Sequence, residues 1–180
     1  MKRRLTWLIE HMGAVLFNHL VTFVPSHTIR QGFLRAWGAT IGKDTSIFRG
    51  TTVLGIHGLR VGEATTIGFR CLLDSRGGLT IGDNVVIASD VHFIAGHHLP
   101  NSDDFSYIIE PTVVEDYAWI ASRSTVLEGL TVGRGAVVGA CSLVRKPVEA
   151  MSIVAGIPAK PVGLRNSRLT YRPMFKPKLF

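Results

Sequence analysis

From residue 41 to residue 144 the chain places an apolar side chain at every sixth position, with three breaks in phase. The fifteen positions are Ile41, Ile47, Val53, Val61, Ile67, Leu73, Ile81, Ile87, Phe93, Val114, Ile120, Val126, Val132, Val138 and Val144. A period of six matches neither the 3.6-residue turn of an α-helix nor the two-residue alternation of a β-strand. The pattern therefore indicates an internal structural repeat.

A second pattern accompanies the first, because the side chain four positions later is frequently small or β-branched. These positions are Thr45, Thr51, Thr65, Cys71, Val85, Val91, Ala118, Ser124, Ala136 and Ser142, with Leu130 as an exception. We interpret both patterns as a solenoid whose coils have three flat faces of about six residues each. Apolar residues stack on their equivalents one coil along, and the glycines that often follow them are expected to permit tight corners. The predicted fold is all-β, a parallel β-helix over residues 39–165.

The residues before the repeat have helical spacing. Apolar side chains recur from Leu5 to Val24 as in an amphipathic helix, which Pro25 is expected to end. Glu10 and Asn18 interrupt this stretch, which argues against a signal peptide or a membrane span. We expect the helix to pack on the core or a neighbouring subunit, with docking on a membrane surface as the alternative. A second helix is predicted over Thr28–Trp37, so the chain divides into a helical segment 1–38, the β-helix 39–165 and a tail 166–180.

Charge and cysteine content narrow the partners and the compartment. The formal net charge is +7, but eight of the twenty basic residues follow Val144 and no continuous basic run with interleaved aromatic residues occurs. Nucleic-acid binding is therefore not expected, and a small phosphate-bearing ligand or an anionic membrane surface fits the charge better. Cys71 and Cys141 are interpreted as small buried side chains of strands in a reducing, cytoplasmic protein.

The longest phase break, between Phe93 and Val114, holds an extended loop, residues 94–112, with two adjacent histidines. Long excursions from a regular scaffold are often functional, although His97 and His98 could also be ordinary solvated loop residues. An imidazole with a pKa near ~6.5 can accept the proton of a hydroxyl group as its oxygen attacks a thioester. Backbone N–H groups would stabilise the resulting oxyanion. One of the two histidines is thus a candidate general base.

The loop from Gly96 to Phe105, with sequence GHHLPNSDDF, resembles that of xenobiotic, maltose, galactoside and colanic-acid acetyltransferases of the hexapeptide-repeat family. This resemblance implies a left-handed β-helix, a homotrimer, and transfer of an acetyl group from acetyl-CoA to a hydroxyl without a covalent enzyme intermediate. Aligned on Phe105, His98 takes the family's catalytic place, whereas alignment on the glycine gives that place to His97. We prefer His98. Asp74 matches an acidic corner that the family places beside its active site.

Three later stretches resemble the segments that line the coenzyme in this family. They are Tyr117–Ser122, Gly139–Pro147 and Ala155–Lys160. The resemblance implies cofactor-binding roles for Trp119, Ser122, Ala140, Arg145, Lys146 and Lys160. Small side chains would leave room for the pantetheine arm, and basic side chains would contact the phosphates.

Other functions remain open at this point. The γ-class carbonic anhydrases share the fold and bind zinc through three histidines, for which His57, His92 and His97 are candidates. The transferase resemblance predicts that no metal is bound. A non-catalytic scaffold is a further alternative, because a fold does not determine a function. For the acceptor we expect a sugar or a polysaccharide precursor, with an antibiotic hydroxyl group as the alternative.

Overall fold

The computed structural model describes residues 2–175, with side chains from His11 onward. Helix α1 spans Lys2–His19, a 3-10 helix follows at Val21–Phe23, and helix α2 spans His27–Ala36. The predicted first helix therefore ends earlier than expected, since its last turn forms the separate 3-10 helix before Pro25. Ser26 caps α2 by accepting a hydrogen bond from the backbone N–H of Ile29.

The strands follow in coils of three. The first three coils contain β1 (Thr40–Ile41), β2 (Ser46–Ile47), β3 (Thr52–Leu54), β4 (Leu59–Val61), β5 (Thr66–Ile67), β6 (Leu72–Asp74), β7 (Leu79–Ile81), β8 (Val86–Ile87) and β9 (His92–Phe93). A 3-10 helix at Ile56–Gly58 occupies the corner between β3 and β4. The remaining strands are β10 (Gly96–His98), β11 (Tyr107–Ile109), β12 (Thr112–Val114), β13 (Trp119–Ile120), β14 (Thr125–Val126), β15 (Thr131–Val132), β16 (Val137–Val138), β17 (Leu143–Val144), β18 (Ser152–Ala155) and β19 (Lys160–Leu164).

Equivalent strands of successive coils pair in parallel and form three sheets. Sheet 1 has the order β1-β4-β7-β12-β15, sheet 2 the order β2-β5-β8-β13-β16-β18-β19, and sheet 3 the order β3-β6-β9-β14-β17. Only β19 departs from this direction within the three sheets of the described chain, because it pairs with β18 antiparallel. The predicted left-handed parallel β-helix is the observed fold.

The core matches the sequence pattern closely. All fifteen apolar positions of the sixfold repeat are buried, as are the ten small or β-branched positions that follow them. Leu130, the exception to the second pattern, is only partly buried. The inward hydroxyl groups are satisfied within the stack: Thr45 donates to the carbonyl of Gly62 at 2.6 Å and accepts from the backbone N–H of Thr65 at 3.1 Å. Polar threonines are thereby tolerated inside the prism.

The prediction that glycines permit the tight corners holds for some of them and is wrong for those that directly follow the apolar repeat positions. Gly50, Gly129 and Gly135 hold left-handed corner positions, which Asp44 and Asn84 hold elsewhere, but Gly62 and Gly68 do not adopt positive φ. What requires glycine is the close approach of the next coil. A Cβ atom on Gly62 would lie 2.6 Å from the backbone of Gly82, and one on Gly68 would lie 2.6 Å from the backbone N of Ser89.

Segments before and after the strands pack on the solenoid. Helix α2 closes the first coil through Arg30, which is fully buried, and through Gln31, whose amide donates to the carbonyl of Thr45 at 2.5 Å. The tail to residue 175 runs back along sheet 2, where Leu169 is buried and Arg172 pairs with Asp44 at 2.9 Å. Residues 176–180 of the predicted tail lie outside the described residues. Within residues 2–175 no helix has both the length and the apolar character to cross a membrane.

The two cysteines have different environments. Cys71 is buried as predicted, and burial raises the pKa of its thiol to about 12. Cys141 is exposed and lies in a corner with φ of 56°, so the interpretation of it as a buried strand residue is wrong. The strand begins two residues later, at Leu143.

Candidate active site

The loop 94–112 forms an antiparallel hairpin that leaves the solenoid after β9 and returns at β12. In the pairing of β10 with β11, His97 lies opposite Ile108 and His98 lies opposite Tyr107. Because successive side chains of a strand point to opposite faces, the two histidines face different sides of the hairpin. Their chemical environments differ accordingly.

The ring of His98 is fixed by residues of its own loop. Its Nδ1 atom lies 2.8 Å from the carbonyl oxygen of Phe105, and the two rings stack with centroids 4.4 Å apart. A carbonyl oxygen only accepts hydrogen bonds, so Nδ1 carries the proton and Nε2 of the neutral ring keeps an accepting lone pair. Phe105 supports this contact from a left-handed conformation, with φ of 48°, which is rare for an aromatic residue. His98 thus has the tautomer that a general base requires.

A solvent-open cavity of about 370 Å³ lies beside the hairpin. It is lined by Arg76, Gly96, His97, His98, Tyr107, Ile108 and Ile109. The ring of Tyr107 stands edge-on to that of His98, with centroids 5.9 Å apart.

Asp74 is buried and reaches this cavity only through Arg76, whose guanidinium it binds with both carboxylate oxygens at 2.8 and 2.7 Å. The bidentate pair fixes the direction of Arg76 and contributes to a raised pKa of that guanidinium.

His97 contacts the next coil rather than its own loop. Its Nδ1 atom is hydrogen-bonded to Oε1 of Glu128, which follows β14. The side chain of Glu128 is only 9% exposed. A carboxylate accepts hydrogen bonds, so Nδ1 of His97 also carries a proton.

The predicted coenzyme residues lie on the later coils of the prism, and the basic ones share a cavity. Arg145, Lys146 and Lys160 together line a cavity of about 440 Å³ near the last coil. Ser122 and Ala140 lie at the corner between sheets 2 and 3, where the backbone N–H of Cys141 donates to the carbonyl of Ser122 at 3.0 Å. Trp119 lies exposed on sheet 2. The structure therefore brings the three basic residues together around one cavity, whose lining does not include Trp119, Ser122 or Ala140.

The candidate zinc ligands occupy different surroundings in the chain. His57 lines a cavity of about 490 Å³ between α1 and the second coil, His92 is exposed on sheet 3, and His97 is bound to Glu128. Among the described residues no three histidine, cysteine or acidic side chains are grouped so that they could hold a metal ion.

Three residues of this region were not identified from the sequence. Arg76 stands two positions after Asp74, and that spacing at a corner could have indicated an ion pair. Tyr107 could have been noted as an aromatic residue in the returning half of the loop. Glu128 carries no sequence signal, because its contact with His97 depends on the stacking of coils that are separated by the loop.

The sequence of this chain is similar to those of several acetyltransferases. It is 33% identical over 130 residues to WcaF of Escherichia coli K12, named as a colanic acid biosynthesis acetyltransferase, and the match covers 72% of this chain and 71% of WcaF. The chain belongs to the hexapeptide-repeat acetyltransferase family. It is accordingly an acyltransferase. The galactoside O-acetyltransferase of E. coli K12 is 26% identical over 145 residues, which cover 77% of this chain and 70% of that enzyme.

Solved structures of hexapeptide-repeat acetyltransferases share the fold. VCA0836 from Vibrio cholerae superposes with a TM-score of 0.81 at 21% identity, covering 93% of this chain and 94% of that chain. A galactoside acetyltransferase in complex with coenzyme A superposes with a TM-score of 0.73 at 24% identity, covering 91% and 82%. No protein-family model matches the chain.

Proposed function

We propose that this acetyltransferase moves the acetyl group of acetyl-CoA to a hydroxyl group of a sugar or polysaccharide precursor, with His98 as general base. The observation that carries the proposal is the hydrogen bond from Nδ1 of His98 to the carbonyl of Phe105. It leaves Nε2 able to accept a proton at the edge of a cavity that also contains Arg76 and Tyr107. The structural relative VCA0836 has been solved in complex with acetyl-coenzyme A, which supports acetyl-CoA as the donor here.

The proposed reaction needs one base and no acylated residue. Nε2 of His98 takes the proton of the acceptor hydroxyl while its oxygen forms a bond to the thioester carbonyl carbon. The carbon–sulfur bond then breaks, and the proton passes from His98 to the leaving thiolate. Backbone N–H groups near the hairpin would stabilise the oxyanion between these steps.

The surroundings of His98 suit a carbohydrate acceptor. Phe105 and Tyr107 are both more than half exposed, although large aromatic rings are usually buried, and they present flat apolar faces beside the histidine. Arg76 adds hydrogen-bond donors. A second cavity, of about 490 Å³, shares Arg76 and offers room for the remainder of a larger acceptor.

The acceptor class is tested by measuring thiol release from acetyl-CoA against a panel of sugars, oligosaccharides and hydroxylated antibiotics. We expect release above the background hydrolysis rate with at least one sugar, together with the acetylated product in its mass spectrum. Release with an antibiotic alone would contradict a sugar acceptor while leaving acetyl transfer intact.

We propose that the coenzyme lies between two chains of a homotrimer. Arg145, Lys146 and Lys160 form one basic cavity, whereas Ser122 and Ala140 lie at another corner. A groove between neighbouring prisms would let one coenzyme contact the basic cavity of one chain and the small residues of the next. Light scattering coupled to gel filtration is expected to give three times the mass of one chain, and a monomer that turns over would contradict this arrangement.

We expect that replacing Lys146 and Lys160 together with alanine raises the KM for acetyl-CoA about tenfold, because charge-assisted contacts to phosphate are lost. The KM for the acceptor should not change. Initial rates over a range of both substrates measure this. Lys43→Ala is the control, since its side chain is 79% exposed and lies near Glu63 in the first coils. Unchanged coenzyme kinetics in the double variant would refute the phosphate assignment.

We expect a thiol reagent to label Cys141 rapidly and Cys71 only after unfolding. The thiol of Cys71 is buried with a raised pKa, whereas that of Cys141 is exposed beside Ala140. If the coenzyme passes this corner, saturating coenzyme A should slow the labelling of Cys141. Mass spectrometry of partly labelled protein identifies the modified residue. Equal labelling with and without coenzyme would place the coenzyme away from Ser122 and Ala140.

The cellular location of this protein and the contact of helix α1 with a membrane surface remain predictions. A cytoplasmic enzyme would have access to acetyl-CoA. Helix α1 and the segment after it expose Val15, Leu16, Leu20 and Phe23, which could support contact with a membrane surface that carries lipid-linked precursors.

A further inference from the structure

Glu128 places a largely buried carboxylate at a corner where the fold does not require one. It follows β14 at a corner of the prism, and its side chain is nine-tenths buried. One oxygen, Oε1, accepts the hydrogen bond from His97, whereas Oε2 has no hydrogen-bond partner among the residues that the structure describes. Burying a carboxylate with one oxygen unpartnered costs stability. A residue that costs stability at a regular corner suggests a role in function.

The contact between His97 and Glu128 links the hairpin to the next coil. Strand register places Phe93 beside Val126, and the backbone N–H of Ile94 donates to the carbonyl of Val126, so the hairpin starts beside the end of the strand that Glu128 follows. The returning strand is held from the other side, where the side chain of Ile109 lies close to Gly77. His97 and His98 are consecutive residues of β10, so a restraint on the ring of His97 also restrains the backbone that carries His98.

We propose that Glu128 is a positioning residue for the reaction: by holding His97, it fixes strand β10 and thereby the location of the His98 ring over the cavity. The inference rests on the proposed function, in which His98 is the base. Small displacements of a catalytic group have large effects on rate, because the reacting atoms must approach within about 3–3.5 Å. Glu128 itself contacts neither the base nor, in this proposal, the reacting atoms.

The test compares Glu128→Leu with Glu128→Gln. We expect Glu128→Leu to lower kcat by about 10- to 100-fold while the KM for acetyl-CoA stays within about twofold, because the base is displaced but the coenzyme residues are not. Glu128→Gln retains an oxygen that accepts from Nδ1 of His97, so its kcat should stay within about threefold of the unchanged enzyme. The midpoint of thermal unfolding of Glu128→Leu should be equal or higher, since a half-paired buried carboxylate is removed.

A double-mutant cycle separates positioning from a general structural effect. The variant carrying both His97→Ala and Glu128→Leu should be no slower than the slower of the two single variants, because both changes remove the same contact. Glu110→Gln is the matched control: its carboxylate lies over Gly129 at the same corner and makes no described hydrogen bond to His97, so kcat should not change.

Several outcomes would overturn the proposal. They are normal turnover in Glu128→Leu, equal losses in the Leu and Gln variants, additive losses in the cycle, or a lowered unfolding midpoint that accounts for the loss of activity. These outcomes are distinct from failure of the proposed function. If His98→Ala retains activity while Glu128→Leu does not, the base is wrongly assigned and this inference falls with it; if only His98→Ala is slow, the inference alone fails.

Discussion

Replacing His98 with alanine is expected to lower the turnover of acetyl transfer by about 10²- to 10⁴-fold, the usual contribution of a general base. The loss follows because no other group in the proposed reaction takes the proton of the acceptor hydroxyl. Coenzyme affinity should be retained, since Arg145, Lys146 and Lys160 lie at a different cavity. Steady-state rates with saturating acetyl-CoA, together with calorimetric binding of coenzyme A, measure both quantities.

His97→Ala provides the comparison for this prediction. This variant loses the contact with Glu128, so we expect its turnover to fall by roughly tenfold. That is the lower end of the loss expected when a supporting contact is removed, and it is smaller than the loss expected for His98→Ala. If His97→Ala causes the larger loss, the loop register is wrong and His97 is the base. If both variants turn over normally, neither histidine takes part in the reaction.

The largest effect on stability is expected from Arg30→Met. Arg30 is fully buried and donates to the carbonyl of Ile47 from Nε at 3.1 Å and from Nη2 at 2.8 Å, and it also contacts the carbonyl of Val24. Methionine keeps the length of the side chain but removes every hydrogen bond that the guanidinium donates to these carbonyls. We expect the free energy of unfolding to fall by about 3 kcal/mol, because hydrogen bonds from a charged group are lost inside the protein.

Thermal unfolding at fixed protein concentration checks this value, with an expected fall in the midpoint of roughly 6–12 °C. Arg35→Met is the control on the same helix. Arg35 donates to the carbonyl of Ile41 at 3.1 and 2.9 Å, but it is exposed, so water can replace it and the loss should stay below about 1 kcal/mol. Equal losses in the two variants would show that burial of Arg30 has no special importance.

The sixfold pattern predicted the core of this protein because each coil contributes the same positions to the interior. Ile87 and Ile120 are stacked partners in sheet 2 and both are fully buried, as their common place in the repeat requires. A short-period repeat leaves little choice of register, since shifting it would expose the apolar residue of every coil. The fold could therefore be predicted from the sequence alone.

The conformations of the corners were harder to predict from the sequence. Cys141 lies one residue before a buried position of the repeat, yet it is exposed because that corner turns through a left-handed conformation. The need for glycine at Gly62 likewise depends on the distance to the neighbouring coil, which a local pattern does not contain. The course of the tail along sheet 2 depends on contacts over more than 100 residues, such as that between Arg172 and Asp44.

Some residues of the candidate site could likewise be predicted from the sequence, and others could not. The histidine pair could be predicted because it interrupts a regular repeat, and the structure gives His98 a defined tautomer through Phe105. Glu128 could not be predicted, because no feature of its local sequence shows that a loop strand lies over it. Residues that support a site from another coil become visible only when the coils are stacked.

Calorimetric titration of the assembled protein with coenzyme A tests the central assignment most directly, because it does not depend on finding the acceptor. We predict saturable binding of one coenzyme per chain, with affinity in the range of about 1 μM to 1 mM that is usual for enzyme substrates. Binding should weaken when Lys146 and Lys160 are replaced with alanine and persist when His98 is replaced. Absence of any binding by the assembled wild-type protein would contradict the assignment of this chain as an acetyl-CoA-dependent enzyme.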